Sequence, residues 1–133
     1  MSVRRKSASF LVALGCLILL AGAALHLAGA YPQVSRGLAG LSLNARLQSA
    51  LRAVFLLIGW DWIVVAIVVL IAAFTETRLR KPLLLFCGAA LLVQAAVMLR
   101  FIGWFLGTDM IGSAGLLVFC GGLLFAGPVP KGP

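Results

Sequence analysis

The sequence predicts an all-α integral membrane protein, a bundle of four transmembrane helices with both termini on the cytoplasmic side. Three observations carry that prediction. Of its 133 residues 63% are hydrophobic and 11% charged, where a soluble domain averages roughly 25% charged. The mean hydropathy is +1.17. Four apolar runs approach the roughly 20 residues a helix needs to cross a hydrocarbon core of about 30 Å. A soluble enzyme fold, a nucleic-acid-binding domain and a disordered tail are excluded by this composition, and the length fits a single transmembrane domain, 1–133.

Eleven Lys and Arg against three acids give a net charge of +8, which in a soluble protein would point to nucleic acid. Position argues for lipid instead. Arg4, Arg5 and Lys6 precede the first apolar run, and Arg78, Arg80 and Lys81 separate the second from the third, as orienting charges do in membrane proteins. The expected partner is a bilayer with anionic headgroups, not nucleic acid.

The spans read as residues 10–30, 53–74, 83–105 and 110–127. An even number puts both termini on one side. With Lys131 that side holds seven basic residues, against Arg36, Arg46, Arg52 and Arg100 on the other, so the termini are expected in the cytoplasm and the chain in a bacterial inner membrane, crossing it several times.

The first span imitates a secretory signal, with a basic start and Ala28-Gly29-Ala30 as a cleavage-like end. Its apolar run is longer than a signal core, and Ala8, Gly15, Gly22 and Gly29 recur at sevens, so a retained helix is expected. Residues 31–50 read as an organised outer loop, with Val34, Leu38 and Leu41 at helical spacing; a lid over the bundle and a docking surface are both open. The second span, rich in Val and Ile, reads as the one with a broad lipid-facing surface.

Pro82 suits the first turn of the third helix, along which Ala89, Ala96 and Gly103 form another small-residue stripe. Thr108 and Asp109 are expected to cap the fourth helix, on which Gly112, Gly115, Gly122 and Ala126 share a face with Phe119. Gly127-Pro128 closes it, leaving an extended tail at 128–133. In lipid, small residues let helices approach closely, and these stripes imply a compact bundle. No internal repeat relates the two halves, which argues against an inverted-repeat transporter.

Polar groups inside spans are functional candidates by default. At about 1.5 Å rise per residue from the cytoplasmic ends, His26 lies roughly 24 Å up, Asp61 roughly 20, Gln94 roughly 17, Arg100 roughly 26, Asp109 roughly 27 and Ser113 roughly 21. All six fall in the outer half, as a candidate intramembrane polar pocket. His26 lies between Gly22 and Gly29, Arg100 between Ala96 and Gly103, and Asp61 between Trp60 and Trp62, two rings that prefer the interface. Insertion tolerates Asp61: an acid near mid-span opposes it by about 3 kcal/mol, while each Leu, Ile, Val or Phe favours it by about 0.3 to 0.6, and fourteen of those stand at 53–74. Two readings follow. Either Asp61 and Arg100 form a structural ion pair, with His26 bonded to Gln94 or a backbone carbonyl, or the cluster is a ligand or proton site.

Cys16, Cys87 and Cys120 are odd in number and without CxxC spacing, and read as small packing residues. One His, three acids and no phosphate loop or zinc-helix motif imply no cofactor, no metal and no enzyme.

Four spans, a basic start and 133 residues resemble, in layout, the small bacterial four-helix membrane proteins, the DoxX-like group among them, and the small multidrug-resistance transporters. Those transporters carry a coupling glutamate in the first helix, where this chain has His26 and no acid, so their mechanism does not transfer. The expected function is that of a non-enzymatic subunit or accessory protein meeting a membrane partner or copies of itself. The alternative is a small proton-coupled transporter or ligand-binding protein using Asp61 with His26 and Arg100.

Overall fold

The computed structural model describes residues 3–75 and 78–125. The described chain is helical, without a strand: α1 Val3–Ala24, a π segment Leu25–Ala30, α2 Tyr31–Ala39, α3 Ala45–Phe74, α4 Arg80–Phe101 and α5 Leu106–Leu124. The first three pieces run on without a break, so four spans cover Val3–Ala39, Ala45–Phe74, Arg80–Phe101 and Leu106–Leu124, each long and apolar enough to cross a membrane. The fold is an all-α four-helix bundle, that of a multi-pass membrane protein. Ala126, Gly127-Pro128, Lys131 and the tail at 128–133 lie outside the described residues.

Around the bundle the order is α4, α5, α1, α3, and the α3–α4 seam that closes the ring is thin. The two most extensive seams, α4–α5 and α1–α5, are made where glycine removes a side chain. A Cβ on Gly15 would stand 3.0 Å from the Ala114 carbonyl oxygen of α5, and one on Gly121 would stand 2.6 Å from Val12 Cγ2 of α1. Between α4 and α5, Gly88 faces the Phe119 backbone, Gly115 faces Leu91 and Gly122 faces Leu84. In lipid such close backbone approach supplies the packing that the hydrophobic effect supplies in water. Of the four spans, α3 is the least covered by its neighbours, as its Val and Ile content predicts.

The first stripe holds for three of its four members: Ala8, Gly15 and Gly22 are buried, but Gly29 is exposed with nothing within 4 Å of a Cβ. The cause is Pro32. Its ring clashes with the carbonyl four residues back and it brings no N–H, so the helix admits one extra residue and Tyr31 N–H bonds to His26 O, five residues back. One inserted residue turns everything beyond it by about 100°, and Gly29 leaves the packed face.

The same helix replaces most of the expected outer loop. Residues 31–39 continue upward as α2, α3 begins eight residues before the predicted start, and only Gly40–Asn44 connects them. The start of α3 is fixed by Asn44, whose Oδ1 accepts from Leu47 N–H at 2.8 Å. Tyr31, Val34, Ser35 and Leu38 form the half-buried face of α2, and Arg52 Nη2 donates to Ser35 O at 3.3 Å, tying α2 to α3. At about 1.5 Å per residue, the 30-residue α3 is roughly 45 Å long, so this hairpin extends well past a hydrocarbon core of about 30 Å.

Two further corrections concern α4 and α5. The buried face of α4 is Leu84, Cys87, Gly88, Leu91 and Ala95, not the Ala89, Ala96 and Gly103 stripe. Gly103 instead ends the helix, with φ +93° and its N–H on Met98 O at 3.3 Å, the left-handed terminator position that glycine fills without strain. The fourth helix then starts at Leu106 after an extended Phe105 that makes no side-chain cap. Thr108 and Asp109 therefore sit inside its first turn rather than before it. Asp109 still places its negative charge at the positive helix end.

Candidate functional site

The six polar positions do not converge. Gln94 is half-buried on α4, while Asp61, Arg100, Asp109 and Ser113 are exposed from the protein's own packing. On α3, Trp62 is 1% exposed and occupies the core, not the interface. The neighbouring position is turned about 100° away, so Asp61 faces outward. Arg100 lies with its guanidinium 5.7 Å from the Phe101 ring centroid. By helical rise, Asp61 stands about 20 Å above Phe74 and Arg100 about 30 Å above Arg80, and the two helices scarcely touch. The expected Asp61–Arg100 ion pair is not formed, and neither carboxylate of Asp61 or Asp109 has a partner among the described residues.

His26 has a built environment. The π segment turns it toward α3, where Nε2 lies 2.8 Å from the Phe55 carbonyl oxygen. A carbonyl accepts only, so Nε2 carries the proton and, in the neutral ring, Nδ1 holds the lone pair. The imidazole stacks on the Phe55 ring at 4.0 Å and 14°, and Trp62 closes it at 5.0 Å and 56°. Gly59 makes this contact possible: a Cβ there would meet Leu27 at 2.6 Å and the His26 ring at 3.2 Å.

A cavity of about 230 Å³ opens beside His26 toward the start of α5, walled by Gly22, Trp62, Phe105, Leu106 and Met110. A second of about 500 Å³ runs between the end of α4 and the first turns of α5, lined by Leu99, Trp104, Asp109, Met110 and Ser113 among others. Neither is lined by Asp61 or Arg100. Ser113 Oγ donates to Asp109 O at 2.7 Å, and Thr108 Oγ1 to Gly103 O at 3.4 Å.

Phe55, Gly59 and the inward turn of Trp62 were not anticipated from sequence. Their spacing of four and three places them on one face of a helix, and an isolated glycine in a Val/Ile run was the available signal. Comparison with known protein families, with curated proteins and with solved structures finds no match to this chain. The functional reading therefore rests on geometry.

Proposed function

We propose that this chain is a non-enzymatic accessory subunit of a membrane assembly, joined to its partner through the outer face of α3. One observation carries the reading. Val54, Leu57, Trp60, Val64, Ile67, Ile71 and Phe74 are all exposed at spacings of three and four, an uncovered stripe along the span, and Asp61 stands in its middle without a partner among the described residues. Ionisable groups at such depth ordinarily face a bundle interior or a water-filled cavity. A carboxylate turned outward is costly in lipid and becomes favourable when a neighbouring helix brings it a donor.

The partner this stripe fits is a transmembrane helix with a Lys, Arg or amide side chain at the depth of Asp61. A symmetric α3–α3 contact between two copies would set carboxylate against carboxylate at equal height, which disfavours the homodimer. The orientation forms part of the proposal. Arg4, Arg5, Lys6, Arg78, Arg80 and Lys81 gather at one end of the bundle, which supports cytoplasmic termini beside anionic headgroups. The layout likeness to small bacterial four-span proteins supports a bacterial inner membrane.

Polymer extraction of the tagged chain from its native membrane tests the reading. A particle larger than one chain, holding a second polypeptide and reduced to the monomer by Asp61→Leu, is expected. A monomer in both cases overturns the proposal, and a particle built of this chain alone overturns the choice of partner.

A further inference from the structure

We propose that the groove between the C-terminal end of α4 and the first turns of α5 binds the ammonium group of a cationic amphiphile. This site is independent of the α3 stripe and lies on the other pair of helices.

The groove, at about 500 Å³, falls within the range of small-molecule sites. Its chemistry is one-sided. Asp109 contributes a carboxylate without a hydrogen-bond or ion-pair partner among the described residues. Among the described residues no Lys, Arg or His lines the groove, and the nearest cation in sequence, Arg100, lies over Phe101 instead. The hydroxyls are spent on backbone: Ser113 Oγ on Asp109 O and Met110 O, Thr108 Oγ1 on Gly103 O. Among the described lining residues the side-chain donor left open to an anion is the neutral indole N–H of Trp104, which brings no positive charge.

Trp104 is the second recognition element. The residue is 76% exposed yet forms part of the groove wall, and indole is the best side chain for contact with a cation. A compact metal ion needs several hard ligands, and one carboxylate with an indole does not provide them. An alkylammonium needs one counter-charge, one aromatic face and a greasy wall. The wall is present in Ala95, Ala96, Leu99 and Met110. The α5 start carries about half a positive charge, which moderates the field of Asp109 without cancelling it.

The ammonium has two sources: the headgroup of an ethanolamine lipid, or a free amphiphilic cation. Both present the same chemistry to Asp109 and Trp104. The test uses the full chain with Trp60→Phe in neutral maltoside micelles and N-dodecylpyridinium, a cation that quenches indole on contact. Quenching of Trp104 is expected to saturate, with affinity at least tenfold weaker in Asp109→Asn and retained in Asp109→Glu. Ala96→Leu narrows the groove from an exposed wall, leaves the carboxylate in place, and should weaken binding as well. Competition by added phosphatidylethanolamine but not phosphatidylglycerol identifies the lipid headgroup as occupant; competition by neither identifies the free cation. Linear, unsaturable quenching, or equal affinity in folded Asp109→Asn and in Ala96→Leu, overturns the proposal.

Discussion

The guanidinium of Arg80 lies 5.1 Å from the ring centroid of Phe125, bridging the start of α4 to the end of α5. From that position Nε donates to Ala72 O at 3.2 Å and Thr75 O at 2.8 Å, and Nη2 also donates to Thr75 O. A residue read in the sequence as an orienting charge thus also closes α3, whose last carbonyls have no helical donors. Arg80→Met keeps the stem and removes these bonds. It should lower stability by about 1.5 to 3 kcal/mol, the range for hydrogen bonds to charged groups, seen as a lower melting temperature in detergent. An unchanged melt would show that water serves those carbonyls equally well.

His26 combines a hydrogen bond with ring stacking, and two substitutions separate them. His26→Phe keeps the stack on Phe55 and should cost about 1 kcal/mol for the lost bond. His26→Ala also forfeits the aromatic contact, worth about 0.5 to 1.5 kcal/mol more. Equal losses in a chemical denaturation series would mean that the stacking contributes nothing.

The π segment makes opposite predictions for two glycines of the same heptad stripe. Gly15→Ala forces a Cβ to 3.0 Å from Ala114 O and Val118 Cγ2 and should cost about 1 to 3 kcal/mol by overpacking. Gly29→Ala meets open space and should be neutral or stabilising by up to about 1 kcal/mol, since alanine is the better helix former. Melting temperatures that fall alike would argue for an unbroken α-helix through residue 29.

The proposed orientation predicts that a cysteine at Ser42, exposed in the α2–α3 connection, reacts with an impermeant maleimide added to intact cells. A version with Cys16, Cys87 and Cys120 replaced gives a clean background. Labelling that requires permeabilised cells reverses the orientation.

The spans were legible because length and apolarity decide membrane insertion one helix at a time. The outward turn of Asp61 was not legible: residues 53–74 are apolar on every side, so periodicity assigns no inner face, and Asp61 was expected in a pocket with His26 and Arg100. The N-cap at Asn44 was readable and overlooked, because apolarity begins only at Ala53 while the helix begins at Ala45. Gly103 looked like a packing residue by its spacing, although a glycine following Arg100 and Phe101 equally marks a helix end. The His26 cage was not readable from periodicity, because the π segment breaks the very period by which faces are assigned.

The central place of α1, with α3 on one side and α5 on the other, has a consequence for how the chain comes together during synthesis. Its glycine face is the first to enter the membrane, yet its counterpart around Ala114 is made a hundred residues later than Gly15, a delay on the order of ten seconds at ribosomal speed. Throughout that interval the face is open to lipid and to any other helix nearby. The bundle is therefore sealed by its last span, and a nascent chain released before α5 emerges would present a bare, glycine-lined surface to membrane quality control.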